Sequence, residues 1–226
     1  MSDFRICNGD CLELMKDLPD GSVDMIATDP PYCVGASSNG IKSSFTDFNL
    51  MRPFFEQCFS EWQRVLKDGG HVYCCTDWRT YPFLYPIMLK YLSVKNLIVW
   101  DYEWIKAGTY YRYRYELIIF AMKGKSNQQV PRNEPDVWSG IRCVNYTNPN
   151  KWHQSEKPVE LMERMIKNSS AEGETVLDPF LGSGTTAIAA MNLNRQFIGF
   201  ELDEHFFSVA EKRIAEAVAK KEQSLF

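Results

Sequence analysis

The chain has 226 residues, 45% of them hydrophobic and 24% charged, with a formal net charge of -4. A chain of this length can bury a substantial core as one domain, 1–226, and it contains no apolar run long enough to cross a bilayer. Its first residues, Met1-Ser2-Asp3-Phe4-Arg5, lack the basic flank and apolar stretch of a secretory signal, so a soluble cytoplasmic protein with no membrane partner is expected. Seven cysteines, with Cys74 and Cys75 adjacent, make a poor disulfide framework. No CxxC pair accompanies His71, His153 and His205, so no metal site is predicted.

Phe4 to Cys7 reads as a short strand, and Cys11 to Leu18 as a helix with Leu12, Leu14, Met15 and Leu18 on its apolar face. Between them Asp10, in Asn8-Gly9-Asp10-Cys11, can cap that helix or accept a hydrogen bond from an adenine amino group. After the Asp20-Gly21 turn, the apolar run Val23 to Thr28 suits a strand buried on both faces. Pro30 and Pro31 end it, because proline has a fixed φ and no N–H for a ladder. Asp29-Pro30-Pro31-Tyr32 therefore stands just past the strand's carboxyl end, the edge at which open α/β sheets bind ligands.

A polar stretch from Cys33 to Asn49 precedes helical spacing from Pro53 to Leu66, which stops at Asp68-Gly69-Gly70. His71 to Thr76 is a predicted strand, and a helix interrupted by Pro82 and Pro86 closes near Leu92. Leu97 to Tyr102 and Glu116 to Met122 are predicted as an antiparallel hairpin with a basic, tyrosine-rich connector. Residues 124–152 are polar, hold three prolines and show no clear period, so they read as irregular structure and as a candidate target-recognition insertion. Pro158 at a first helical position opens a helix through Val159, Leu161, Met162, Met165 and Ile166. Thr175 to Leu177 and Gln196 to Phe200 are strands around a helix from Gly184 to about Leu193, and Asp203 caps a last helix to about Lys220. The alternation predicts an α/β fold with a mostly parallel sheet and helices on both faces.

Charge is spread unevenly. From Trp104 to Lys157 nine basic residues stand against four acidic ones, interleaved with Trp104, Tyr110, Tyr111, Tyr113 and Tyr115. An ordinary solvated surface has such a composition, and so does a surface that contacts phosphates and stacks on bases. Lys106, Arg112, Tyr113, Arg114, Arg132 and Arg142 are the candidate nucleic-acid contacts.

Thr175 to Thr186 has the pattern of strand, tight glycine turn and helix, with Gly182 and Gly184 allowing backbone to approach a ligand. A phosphate-binding loop is disfavoured because Gly184 is followed by Thr185-Thr186 with no lysine. The turn is either a bare strand-helix connection or a cofactor site. Glu201, at the end of the following strand, can accept hydrogen bonds from ribose hydroxyls or cap the next helix.

The tetrapeptide carries the chemistry. An exocyclic amino group on adenine or cytosine is a weak nucleophile because its lone pair is delocalised into the ring. The Asp29 carboxylate and the Pro30 carbonyl, each accepting one N–H, would favour a more tetrahedral nitrogen with its lone pair aimed at a methyl donor. Pro31 stiffens the turn, and Tyr32 offers a face for a base rotated out of its helix. Methyl transfer from a sulfonium is a direct displacement, so positioning supplies most of the acceleration.

Gly9-Asp10-Cys11, Thr28 to Tyr32, Tyr115 to Phe120, His153-Gln154-Ser155-Glu156-Lys157-Pro158, Asp178 to Thr186 and Gly199-Phe200-Glu201 resemble, in this order, the motifs of the DNA amino-methyltransferases. The order is that of the circularly permuted β group, in which the catalytic tetrapeptide precedes the cofactor loop. The resemblance implies S-adenosylmethionine as cofactor and a Rossmann-like, seven-stranded sheet in spatial order 3-2-1-4-5-7-6, its strands running 3, 4, 5, 6, 7, 1 and 2 along this chain. It implies Asp29, Pro30, Pro31 and Tyr32 as the catalytic set. For the cofactor it implies Asp10, Cys11, Asp29, Lys157, Asp178, Pro179, Phe180, Gly182, Ser183, Gly184, Thr185, Glu201 and Leu202. Lys157 would lie near the methionine end, Phe180 would line the pocket and Glu201 would hold the ribose.

An aspartate-first tetrapeptide favours adenine N6 in double-stranded DNA, reached by base flipping. Cytosine N4, RNA methylation and a catalytically silent nucleic-acid-binding regulator are the alternatives. The family carries its target recognition between the hairpin and the lysine-proline helix, where 124–152 leaves little room, so specificity is expected to be short, relaxed or shared with a second subunit. A homodimer is expected because this group often pairs, and a restriction endonuclease would be a separate protein.

Overall fold

Val23–Thr28 is buried at five of its six positions, and a computed structural model of the chain places it among the central strands of a mixed sheet. The structure describes residues 4–32, 37–38, 41–42, 47–106, 110–125, 130–144 and 156–223. In chain order the first elements are β1 (Phe4–Asn8), α1 (Cys11–Met15), β2 (Val23–Thr28), β3 (Ser37–Ser38), β4 (Ile41–Lys42), α2 (Phe48–Val65) and β5 (Leu66–Thr76). Then come α3 (Tyr81–Met88), β6 (Ser93–Asp101), β7 (Tyr115–Met122), β8 (Val137–Trp138) and α4 (Val159–Ser169). The last are β9 (Thr175–Asp178), α5 (Thr185–Asn192), β10 (Gln196–Glu201) and α6 (Glu204–Gln223).

The main sheet has the order β1-β10-β9-β2-β5-β7-β6-β8, and β3 pairs with β4 separately. Strands β1, β10, β9, β2 and β5 are parallel to their neighbours in that series, while β7 runs antiparallel to both β5 and β6. The seven expected strands keep their expected order. An eighth corrects the count: β8, from the stretch read as irregular, adds in parallel to the outer edge of β6, with Val99 opposite Val137 and Trp100 opposite Trp138. Trp138 is buried there and donates from Nε1 to the Pro135 carbonyl, so one large side chain anchors an otherwise aperiodic segment.

Alternation along the strands divides the core between the two faces. Ile26, Val72, Cys74 and Ile119 pack with residues of α1, α2 and α3. Met25, Ala27, Tyr73, Cys75, Ile118 and Phe120 pack with residues of α4, α5 and α6. The six cysteines among the described residues are free thiols.

Some boundaries differ from the sequence pattern. Helix α2 begins at Phe48, capped by the Asp47 side chain accepting from Asn49 N at 2.8 Å, so Pro53 sits inside the helix and not at its start. It ends at Val65, and β5 already runs from Leu66 through Asp68-Gly69-Gly70, with a register irregularity between Val23 and Met25 absorbing the turn-like residues. Pro158 is the N-cap of α4, one residue before the first helical position.

Strand β2 is followed by α2 on one face and β9 by α5 on the other, although β2 and β9 are neighbours, with Ile26 opposite Leu177. The chain thus leaves adjacent strands in opposite directions, and a crevice opens outside their carboxyl ends. Asp29 and Asp178 stand on its two sides.

Candidate active site

The turn after β9 is built mainly from backbone. Gly184 caps α5 with φ +82°, a left-handed conformation that L side chains rarely adopt. Gly182 has φ +53°, and a Cβ there would meet nothing within 4 Å, so the backbone at this point faces open space. Its N–H donates to Glu201 Oε2 at 2.8 Å, while Asp203 N donates to Glu201 Oε1 at 2.9 Å. Each carboxylate oxygen thus has one backbone donor and keeps acceptor capacity. Burial pushes the Glu201 carboxyl pKa up.

Asp10 ends the neighbouring edge and caps α1, its Oδ1 accepting from Leu12 N at 2.9 Å, as the capping alternative expected. Cys11 is buried beside it, and Leu202 is exposed next to Glu201. Pro179 is buried, and the half-buried ring of Phe180 lies 6.0 Å from that of Phe54 on α2. Asp178 crosses the crevice: its Oδ1 accepts from Thr28 Oγ1 at 2.6 Å and from Phe180 N at 3.0 Å. Burial raises its pKa to about 6 against the opposing effect of the hydrogen bonds from Thr186 and Thr28.

The other side of the crevice is built from charges. Lys157 Nζ lies 2.6 Å from Asp29 Oδ2, 3.0 Å from Glu116 Oε2 and 3.2 Å from the Tyr32 hydroxyl. Tyr32 donates its hydroxyl to Glu116 Oε2 at 3.2 Å, and Lys106 Nζ reaches Glu116 Oε1 at 3.3 Å. Burial works against the Lys157 ammonium, but Asp29 and Glu116 outweigh it and raise its pKa above the ordinary lysine range. Burial likewise opposes the Glu116 carboxylate, and Lys157 and Lys106 overcome it and hold its pKa down. Burial, then Asp29 and Glu116, push the Tyr32 phenol well up, so it stays a neutral donor. One atom is left over: Asp29 Oδ1 is buried and has no hydrogen-bond partner among the described residues.

The expected catalytic residues and most of the expected cofactor residues thus meet along one edge of the sheet. The expected nucleic-acid contacts divide. Lys106 is drawn into the cluster through Glu116. Arg114 makes a two-pronged pair with Asp101, both contacts at 2.9 Å, and Arg112 donates to the carbonyls of Ile105 and Lys106. Tyr113 lies 5.9 Å from the Arg79 guanidinium, while Arg132 and Arg142 are exposed in the segment before α4. His153, Gln154 and Ser155 lie outside the described residues.

Two further participants lie outside the predicted site residues. Glu116 enters the sequence pattern only as part of a strand motif, although it joins Lys157, Lys106 and Tyr32. Arg213, on α6, is buried and reaches Glu156 Oε1 at 2.7 Å, Ser183 Oγ at 3.0 Å and Thr185 Oγ1 at 3.0 Å. It ties the residue before Lys157 to the glycine turn. A lysine-proline pair preceded by a glutamate, and an arginine on an otherwise apolar helical face, are the signals that could have flagged it.

A family model described as DNA methylase, of the N6 and N4 type, matches residues 23–212. A DNA adenine methyltransferase, YhdJ of Escherichia coli K12, is 29% identical over 92% of this chain and 82% of its own length. The type II methyltransferase M.HpaI of Haemophilus parainfluenzae is 31% identical over 94% of this chain and 74% of its own. Among solved structures, the M1.HpyAVI complex with S-adenosylmethionine superposes with a TM-score of 0.69 at 26% identity, covering 93% of this chain and 99% of that one. The family match spans both the Asp29 cluster and the glycine turn, and with them in this order the chain belongs to the N6/N4 DNA methylase family.

Proposed function

We propose that this DNA methyltransferase acts on the N6 amino group of adenine in double-stranded DNA, with the target base rotated out of the stack. The observation that carries this reading is Asp29 Oδ1, a buried acceptor with no partner among the described residues, beside an Oδ2 fixed by Lys157. A buried acceptor is costly to leave unpaired, and an exocyclic N–H fills it. The Pro30 carbonyl accepts the second N–H, and the nitrogen is drawn toward a tetrahedral shape. Aspartate at the head of the tetrapeptide favours adenine over cytosine.

S-adenosylmethionine, when bound, supplies a methyl group activated by its sulfonium. The residues on the other side of the crevice suit it: Glu201 has two oxygens oriented by backbone donors for a ribose diol, and the Gly182 backbone leaves room for close approach. The amino lone pair would form the N–CH3 bond as the S–CH3 bond breaks and S-adenosylhomocysteine leaves. The Asp29 carboxylate would stabilise the positive charge on the nitrogen, and the surplus N–H proton would pass to Asp29 Oδ1 and on to solvent. Lys157 and Glu116 keep that carboxylate and the Tyr32 hydroxyl in place. The Tyr32 ring then supports the displaced base by stacking, worth roughly 1–3 kcal/mol.

Incubation with tritiated S-adenosylmethionine and plasmid DNA, followed by nucleoside analysis, tests the assignment. Label in N6-methyl-2′-deoxyadenosine is expected. Label in N4-methyl-2′-deoxycytidine overturns the choice of base, and label confined to RNA overturns the choice of substrate.

A further inference from the structure

Strand β5 runs parallel to β2, with Thr28 opposite Cys74, and β7 runs antiparallel to β5, with Thr76 opposite Leu117. The connecting end of the β6–β7 hairpin, beyond Asp101 and Tyr115, therefore projects from the same edge of the sheet as Asp29. Its root is braced. Tyr102 is buried, with the Lys106 ammonium 4.0 Å from its ring centre, and Lys106 N donates to the Tyr113 carbonyl at 2.7 Å. Arg112 donates to the carbonyls of Ile105 and Lys106, Arg114 clasps Asp101, and Arg79 lies against Tyr113.

This brace holds out an unusual pair of side chains. Tyr110 and Tyr111 are 94% and 93% exposed, and Trp104 and Ile105 beside the root are 61% and 51% exposed. Adjacent aromatic rings held almost wholly in water gain nothing for the fold, and such a patch marks a surface that meets another molecule. The partner has to be compatible with this position, on the sheet edge that carries Asp29 and on the hairpin whose first β7 residues bring Glu116 to Lys157. A duplex that gives up one base to the crevice is left with a gap the thickness of a base, and a planar apolar side chain fills such a gap.

We propose that Tyr110 and Tyr111 form a wedge that enters the DNA stack and occupies the space vacated by the target base. The inference rests on the reading of the chain as a DNA base methyltransferase and adds how the duplex is kept open. The wedge stabilises the extruded state of a paired target. A target that is already unpaired has less need of it.

The test is methyl transfer by the wild type, the double variant Tyr110→Ala/Tyr111→Ala and the ring-preserving double variant Tyr110→Phe/Tyr111→Phe. Two duplexes are used, both built around a sequence found labelled in the plasmid assay and identical except that the target base is paired in one and faces an abasic site in the other. The alanine variant is expected to lose roughly 10- to 100-fold in kcat/KM on the paired duplex and less than about 3-fold on the abasic one, since opening a pair costs a few kcal/mol and an unpaired base avoids most of it. The phenylalanine variant is expected to retain most activity, and both variants should bind S-adenosylmethionine as the wild type does. An equal loss on the two duplexes, or no loss on either, overturns the wedge. So does a loss accompanied by a change in oligomeric state in sedimentation, which would assign the tyrosines to a protein interface. Failure of the wild type to methylate either duplex would instead overturn the functional reading.

Discussion

The two sides of the crevice are made of different materials. On the glycine-turn side, Glu201 is oriented by the N–H groups of Gly182 and Asp203, and the turn is shaped by positive φ at two glycines. On the tetrapeptide side, four charged side chains alternate in sign through Asp29, Lys157, Glu116 and Lys106, brought together from the end of β2, the entry to α4, β7 and the hairpin root. Backbone donors carry no net charge, so their loss is local. A buried charge network must balance, so removing any one member leaves another uncompensated. A site that binds a preformed ligand can rely on the first arrangement. A site that must hold an acceptor ready for a base that is present only briefly gains from the second, because its geometry is set before the base arrives.

Asp29→Ala separates the sides most sharply. Methyl transfer should fall by about 10²–10³-fold or more, the usual cost of deleting a group that stabilises developing charge. S-adenosylmethionine binding, followed by calorimetry, should change little although Asp29 is among the expected cofactor contacts, because Glu116 still holds Lys157 at 3.0 Å and the backbone donors still orient Glu201. Loss of both together would mean that the two sides are one unit.

Lys157→Ala comes next and acts on folding as well as on rate. It leaves Asp29 and Glu116 facing a site without their shared cation, and unfolding in urea should show a loss of about 3 kcal/mol, the lower end for a broken buried pair because the crevice is partly open. A variant as stable as the wild type would show that solvent compensates the carboxylates.

The third prediction concerns the bridge between the sides. Asp178, with its pKa raised to about 6, takes up a proton on folding between its unfolded value near 3.8 and that point. The folded state is therefore favoured below this window, and the contribution of Asp178 is lost as pH rises through about 6. The difference amounts to at most about 3 kcal/mol, at about 1.36 kcal/mol per unit. Comparing urea unfolding of wild type and Asp178→Asn from about pH 4 to about pH 7, which spans the window, should show that the variant lacks this part of the slope. Parallel curves would sink it.

Glu201→Gln should have the smallest effect. The amide oxygen still accepts one of the two backbone N–H bonds, so stability should be near that of the wild type and S-adenosylmethionine affinity should drop about tenfold, the value of one weakened hydrogen-bonded contact. A loss as large as that of Asp29→Ala, in rate at saturating cofactor, would place Glu201 in the chemistry.

Much of the framework is legible in the residues. Val23 to Thr28 announces a buried strand, Pro30-Pro31 its end, and Gly182, Gly184 and Glu201 a turn and an acceptor, because each depends on local backbone rules. The start of helix α2 departs from the pattern because Pro53 satisfies the rule for a first-turn proline, while Asp47 supplies the cap that actually begins the helix. Strand β8 is invisible in the sequence because two residues have no period, and it exists only because β6 offers an edge and Trp138 a buried anchor.

What the sequence determined by itself is the set of strand ends and turns, and hence which residues reach the carboxyl edge of the sheet. Those are consequences of φ restrictions, hydrophobic period and missing N–H groups within a few residues. Only the tertiary structure decided that Lys157 closes on Asp29 across 128 positions and that Glu116 stands between two lysines and a tyrosine. It also turned two tyrosines of a basic stretch outward while folding the neighbouring arginines back onto carbonyls and an aspartate. The reason is physical: side-chain charge pairs depend on distance in space, and no local pattern encodes which distant strand ends will meet.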